Sequence, residues 1–228
     1  VWIIYVFSIN FVLPLYLIEN YYWLFVVGML FILVWIFNVF NFMDGLDGML
    51  VSGCFISLLI ANILLTYGGG TSENSIIILL LATVCLSFLV FNFPPASIFM
   101  GDSGSLFLGY TVIAIALKTH LDGDLSLWTW GILFGYFLSD TFITTTTRLF
   151  IIKRWYGEHR SHAYQNLAKL WDSHFKITTG VVIYQLLWLA PLAFISILKP
   201  EHGFVLFLLA TFPVILLTFN YGPSFSNK

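Results

Sequence analysis

The stretch NFMDGLDG, residues 41–48, places two carboxylates three residues apart, directly after a long uncharged apolar run. Charged residues make up only 9% of the chain. Two acids at the mouth of an apolar segment are therefore costly unless a metal ion, a base or water accompanies them. Gly45 and Gly48 allow the backbone to come close to a ligand. A solvated turn between two helices is the simpler alternative, and this stretch alone leaves it open.

The composition around this stretch is that of an integral membrane protein. Of the 228 residues, 60% are hydrophobic, and the mean hydropathy is +0.95. A spanning helix needs about 20 apolar residues, so we predict an all-α, polytopic transmembrane bundle forming one domain over residues 1–228. The apolar runs predict about eight spans, at residues 1–18, 21–40, 49–67, 75–93, 106–118, 125–151, 177–198 and 203–221. The helix of the fifth span is expected to begin within Gly104–Ser105.

Three polar segments lie on the same side of this predicted bundle. The first turn follows span two, a second acidic glycine turn around Asp102 follows span four, and a long polar loop follows span six. Seven of the nine lysines and arginines fall on that side, against Lys118 and Lys199 on the other. The positive-inside rule therefore predicts cytoplasmic loops at about residues 41–48, 94–105 and 152–176.

Carboxylates on separate turns suit a hard cation such as Mg²⁺, which takes one or two carboxylates together with water and substrate phosphates. Asp102 and Asp44 are the candidate metal ligands, with Mn²⁺ as a possible substitute. Gly101 and Ser103 leave room for phosphate oxygens at a helix start, where anions are favoured. Asn92, near the end of span four, is a candidate supporting group.

The long loop carries a cluster of basic residues opposite the acidic turns. A positive-inside anchor is the simpler interpretation, and we prefer it for Lys153, Lys169 and Lys176. For a further set the clustering favours contacts with phosphate, which arginine forks match in geometry and which histidine can bind near neutral pH. That set comprises Arg154, His159, Arg160 and His162.

Some polar residues outside the motifs remain ambiguous. Asp140 lies inside span six near its cytoplasmic end, so it either has a function or simply reaches water; both interpretations stay open. His120, His174 and His202 have no motif around them and are expected to be solvated. Cys54 and Cys85 lie in apolar runs and are expected to be buried.

Three motifs in order, NFMDGLDG (41–48), PPASIFMGDSGSLFLG (94–109) and RWYGEHRSHAYQ (154–165), resemble the polyprenyl-phosphate N-acetylhexosamine-1-phosphate transferases. These bacterial membrane enzymes are related to the phospho-MurNAc-pentapeptide transferase of peptidoglycan synthesis. The third motif is most similar to the O-antigen-initiating branch, which uses UDP-N-acetylfucosamine or UDP-N-acetylquinovosamine. The resemblance covers nearly the whole chain.

The resemblance implies transfer of an N-acetylhexosamine-1-phosphate from a UDP-sugar to undecaprenyl phosphate, giving undecaprenyl-diphospho-sugar and UMP. The reaction would use Mg²⁺ at the cytoplasmic face of the bacterial inner membrane. Membrane lipid is a further expected partner, nucleic acid is not, and a homodimer is one assembly that the sequence leaves open. By motif position, Asp102 is implied as the principal magnesium ligand. The implied catalytic and nucleotide-sugar positions are Asn41, Asp44, Gly45 and Asp47, and the implied histidine loop contains His159, Arg160 and His162.

One departure from the family pattern concerns the start of the chain. The family carries an aspartate pair on an earlier cytoplasmic loop that has no counterpart here, so we expect the chain to be the C-terminal portion of a longer transferase. Two alternatives stay open: an inactive remnant of such an enzyme, and an ion-coupled transporter or lipid-binding membrane protein. A transporter is disfavoured because transporters usually show internal repeats and midplane sites. The donor sugar, and the role of an aspartate as nucleophile or base, are not decided by these motifs.

The predicted orientation can be tested by labelling introduced cysteines on intact cells with an impermeant thiol reagent. We expect a cysteine at Ser72 to react, because the loop between spans three and four faces outward. Cysteines at Ser103 and Ser161 should stay unlabelled until the membrane is permeabilised. Labelling of either on intact cells would contradict the orientation.

Overall fold

The structure, a computed structural model, describes residues 21–152 and 161–223, and every regular element in these two ranges is helical. The predicted all-α class is therefore confirmed. The α-helices in the described ranges are α1 (Tyr22–Met43), α2 (Met49–Tyr67), α3 (Ser72–Asn92), α4 (Gly101–Leu121), α5 (Leu127–Leu133), α6 (Gly135–Thr147), α7 (Ala163–Trp171), α8 (His174–Tyr184), α9 (Ala190–Leu198) and α10 (Gly203–Tyr221).

Six stretches of the described chain are long and apolar enough to cross a membrane. Four are the single helices α1 to α4. The fifth is His174–Leu198, in which a π-helical turn joins α8 to α9, and the sixth is Pro200–Tyr221, which contains α10. A polytopic bundle is thus confirmed, but the count of eight is not. The first predicted span lies outside the described residues, and the sixth is not one continuous helix.

The sixth predicted span is divided into α5 and α6 at Phe134. Inside a bilayer, backbone polar groups at such a break must find partners within the protein. The Ser57 hydroxyl of α2 donates to the Leu133 carbonyl at 3.1 Å. The Gln185 amide in turn donates to Ser57 Oγ at 3.0 Å and to the Gly53 carbonyl at 3.1 Å. This buried polar network fixes the break against α2.

Helix α2 occupies the centre of the bundle. In the most apolar stretch of α2, 67% of the residues are buried, compared with 12% in α1. It packs against α3, α8 and α5. Gly53 allows the Phe137 ring of α6 to pack directly on the backbone of α2, because a Cβ at this position would clash with that ring. By contrast, α1 packs on α4 and α6 and leaves large apolar side chains exposed, such as Trp23 and Phe31. Such a surface is stable in lipid, whose chains are as apolar as leucine.

A polar cluster closes the end of the bundle remote from the acidic turns, hereafter the far end. Asp124 accepts hydrogen bonds from the backbone N–H and the hydroxyl of Thr71, at 3.1 and 2.9 Å. The buried Asn74 amide donates to Asp122 and Asp124, at 2.8 and 2.7 Å. These bonds join the α2–α3 connection to the α4–α5 connection and cap the start of α3.

Several helix boundaries differ from the predicted ones at the end of the bundle that carries the acidic turns. The expectation that the fifth span begins within Gly104–Ser105 was wrong, because α4 begins at Gly101. Gly101 has φ +69°, a conformation that favours glycine and redirects the chain into the helix. Helix α1 continues through Met43, which shortens the first turn to residues 44–48. The predicted loop 152–176 contains α7 and the start of α8.

Candidate functional site

The two acidic turns meet at one end of the bundle. The Gly101 N–H donates to the Asp44 carboxylate. Burial, and then the charge of Asp102, raise the pKa of Asp44 to about 6. The Ser105 hydroxyl of α4 donates to the Asn41 side chain of α1 at 3.0 Å. Asp102 stands exposed in the first turn of α4, where the helix dipole favours a negative charge. Asp44 and Asp102 are 58 residues apart in the sequence, and the fold makes them neighbours.

Asp47 connects the first turn to two other segments. Its Oδ2 accepts the backbone N–H of Ala96 at 3.1 Å, which ties it to the turn before α4. Its Oδ1 lies 3.3 Å from Nδ1 of His174, the first residue of α8. Its main-chain carbonyl accepts the Thr178 hydroxyl at 2.9 Å. Because His174 and Thr178 are four residues apart, one face of α8 holds both the side chain and the backbone of Asp47.

The side chain of Asn92, at the end of α3, stabilises the first acidic turn through hydrogen bonds. Its Oδ1 accepts the Gly48 N–H at 3.1 Å, and its Nδ2 donates to the Ile98 carbonyl at 2.8 Å. Gly48 has φ +69°, and a Cβ there would lie 3.2 Å from Cδ of Pro94. Glycine at this position is therefore favoured by the backbone conformation and by the neighbouring turn.

Helix α7 covers the first turn from the side of the long loop. The Tyr164 hydroxyl donates to the Phe42 carbonyl, and the Gly45 N–H donates to the Tyr164 oxygen. A Cβ at Gly45 would clash with that oxygen and with the Gln165 amide, 2.4 and 2.5 Å away. Gly45 thus permits the close approach that seats α7 on the acidic turn.

A cavity of about 580 Å³ opens between the first turn, α7 and the start of α8. This volume falls within the range of about 300–1,000 Å³ that is typical of small-molecule sites. Its wall contains Asp44, Gly45, Leu46, Asp47, Asn92, Phe99, Gln165, Ala168, Lys169, Asp172, Ser173 and His174. The described wall therefore contains both acidic side chains and the basic groups of Lys169 and His174.

Residues 1–120, just over half of the 228-residue chain, match the family described as Glycosyl transferase family 4. The chain belongs to this family. The match includes both acidic turns, the helices α1 to α3 and all but the last residue of α4.

Bacterial relatives of this family align with part of the chain. The phospho-N-acetylmuramoyl-pentapeptide-transferase of Pelagibacter ubique is 42% identical over 117 residues, which cover 45% of this chain and 32% of the relative. That of Clostridioides difficile is 42% identical over 95 residues, or 40% and 29% of the two chains. The probable undecaprenyl-phosphate N-acetylglucosaminyl 1-phosphate transferase of Bacillus subtilis is 41% identical over 85 residues, or 37% and 24%. The chain thus aligns with about a third or less of each relative.

Apart from His162, the predicted site residues fall into three groups in this structure. Asp44, Gly45, Asp47 and Asn92 line the cavity. A second group lies at the same end but outside the cavity wall, and consists of Asn41, Gly101, Asp102 and Ser103. Arg154, His159 and Arg160 lie outside the described residues. Their proposed contacts with phosphate stay predictions.

His162, predicted as catalytic, is buried beside Asp140 and does not line the cavity. Its Nδ1 lies 2.7 Å from Oδ2 of Asp140. The other carboxylate oxygen accepts the Ala163 N–H at 3.1 Å and lies 3.1 Å from the Thr218 hydroxyl of α10. Asp140 is fully buried, so the interpretation that it simply reaches water was wrong. In this position, the pair anchors the start of α7 to α6 and α10.

The sequence missed both basic residues of the described cavity wall. His174 was expected to be solvated, yet it faces Asp47 across the cavity edge. Lys169 was assigned to anchoring, yet it also lines the cavity. No local motif marks either residue. Their placement follows from the turn at Asp172, where φ is +45° and the chain reverses from α7 into α8.

The anchoring role of Asp140 predicts different effects for two similar substitutions on α10. Thr218→Val removes a hydroxyl that reaches Asp140, and should lower the free energy of unfolding by about 1–3 kcal/mol, because a buried acceptor loses a donor. Thr211→Val is the matched control, since within the described ranges that buried hydroxyl bonds only to carbonyls of its own helix. Thermal unfolding in detergent measures both. Equal effects would show that Asp140 does not anchor α10.

Proposed function

We propose that this chain is part of an enzyme that transfers an N-acetylhexosamine-1-phosphate from a UDP-sugar to undecaprenyl phosphate. The observation that carries the proposal is the meeting of Asp44, Asp47 and Asp102 from separate turns beside one cavity. Family 4 membership supports it, as do the names of the relatives, one of which specifies an undecaprenyl phosphate and an N-acetylglucosaminyl 1-phosphate. The site would face the cytoplasm at the bacterial inner membrane.

In the proposed reaction, an oxygen of the lipid phosphate attacks the sugar-bearing phosphorus of the UDP-sugar. The bond between that phosphorus and the bridging oxygen breaks, and UMP leaves with the bridging oxygen. No proton need be exchanged, because one phosphoanhydride bond replaces another. Catalysis would therefore rest on positioning and on charge stabilisation. The rigid turn around Asp47 and the Gly101 N–H are suited to positioning, since both are fixed by hydrogen bonds.

The residues fit a magnesium ion. Among the described residues, no group of three or more His, Cys, Asp or Glu side chains could hold a metal alone. Mg²⁺ does not need one, because it takes one or two carboxylates and completes its shell with water and substrate phosphates. Asp102 and Asp44 would hold it, with Mn²⁺ as a substitute, and a cation would offset the repulsion between these two carboxylates. The ion would neutralise charge on the diphosphate.

The lipid-linked sugar would begin a cell-envelope polysaccharide, and the HRSHAYQ segment, residues 159–165, favours O antigen. Specificity for the sugar would depend on the cavity wall together with this loop. UDP-N-acetylfucosamine and UDP-N-acetylquinovosamine are the donors to test first.

Asp102→Asn in the natural full-length polypeptide should abolish release of UMP from UDP-N-acetylhexosamine in the presence of undecaprenyl phosphate and Mg²⁺. The substitution keeps the size of the side chain and removes the charge, so membrane insertion and thermal unfolding should stay unchanged. Glu201→Gln is the matched control, because this exposed acid lies at the far end. Activity of Asp102→Asn within about threefold of wild type, under about 1 kcal/mol of barrier, would contradict the role.

A further inference from the structure

His174 has three features that no sequence motif predicts. It is the first residue of α8, it lines the cavity, and its imidazole is 47% exposed. Its Nδ1 lies 3.3 Å from Oδ1 of Asp47. Because the two ring nitrogens lie on opposite sides of the imidazole, the contact with Asp47 leaves Nε2 on the side away from that carboxylate.

The carboxylate that orients His174 is itself held in place. The Ala96 N–H binds the other oxygen of Asp47, and the Thr178 hydroxyl binds its carbonyl. A carboxylate beside one imidazole nitrogen favours a proton on that nitrogen and restricts rotation of the ring. The pair is therefore prepared before a ligand arrives, which reduces the entropy lost on binding.

The charges around the cavity indicate what the imidazole would meet. The described wall contains three carboxylates, Asp44, Asp47 and Asp172, and two basic side chains, Lys169 and His174. Both basic groups come from α7 and α8, with Asp172 between them in the chain and Asp47 beside His174. Lys169 and His174 are the basic side chains that this described wall offers to an anionic ligand group. Phosphate oxygens are suitable acceptors for an imidazole N–H, and such charge-assisted bonds are stronger than neutral ones.

We propose that His174 is a substrate-binding residue whose imidazolium form, with Asp47 at Nδ1, donates through Nε2–H to a phosphate oxygen of the ligand in this cavity, and that Asp47 is its positioning residue. The inference rests on the proposed function, which supplies two phosphate-bearing ligands. One is the diphosphate of a nucleotide sugar, and the other is the monophosphate of a polyprenyl lipid. The chemistry of the contact is the same for both.

The test compares His174→Ala and His174→Gln with wild type in the natural full-length polypeptide, reconstituted in lipid nanodiscs. Calorimetry measures the dissociation constant for UDP and, separately, for undecaprenyl phosphate, both with Mg²⁺. His174→Ala should weaken one of them about tenfold or more, as expected for loss of a hydrogen bond to a charged group. His174→Gln keeps an N–H donor and should recover part of the loss, which a merely structural role would not produce.

His202→Ala is the matched control. This exposed histidine also pairs with an acid, since its Nδ1 lies 3.1 Å from Oε1 of Glu201, but it is at the far end. It should leave both dissociation constants unchanged. Weaker UDP binding assigns the contact to the nucleotide diphosphate, and weaker lipid binding assigns it to the polyprenyl phosphate. If His174→Ala binds both ligands like wild type, or if wild type binds neither, the inference is overturned.

The same preparation separates this inference from the proposed function. Release of UMP by wild type, with unchanged affinities in His174→Ala, would remove the role of His174 and leave the transferase intact. Binding of UDP that depends on His174, without any release of UMP by wild type, would support the role of His174 and contradict the proposed transferase. Thermal unfolding of each variant shows that a loss of affinity does not reflect a loss of fold.

Discussion

The fixed position of Asp47 is the constraint on which the site depends. Its carboxylate binds the turn before α4 through Ala96 and meets His174, while its carbonyl binds Thr178 on α8. Three connections that are distant in sequence therefore meet at one residue. A carboxylate near the apolar part of a membrane protein is costly without partners. Here those partners are also what shapes the cavity.

A second buried carboxylate has a different purpose. Asp140 lies within the bundle and joins His162 and Ala163, at the start of α7, to Thr218 of α10. It seats α7, and α7 in turn places Gln165 and Lys169 on the cavity wall. The two carboxylates therefore have different structural roles: Asp47 fixes the first acidic turn, and Asp140 fixes α7, which faces that turn.

Much of the fold follows from hydropathy and glycine alone. The bounds of α2, Met49–Tyr67, match the predicted span because glycines flank an uninterrupted apolar run. The break at Phe134 could not be predicted, since it depends on Ser57 and Gln185 in other helices. The acids of the site were found because charge is rare in apolar sequence. His174 was missed because only the reversal between α7 and α8 brings it to Asp47.

We propose that Asp44 and Asp102 hold a divalent cation together with the phosphates of a ligand. Electron paramagnetic resonance of Mn²⁺, added with UDP to the natural full-length polypeptide, tests it without relying on turnover. The account predicts that UDP promotes binding of about one Mn²⁺ per site, and that Asp44→Asn and Asp102→Asn each weaken this binding while Glu201→Gln does not. Unchanged Mn²⁺ binding in both aspartate variants would contradict the account.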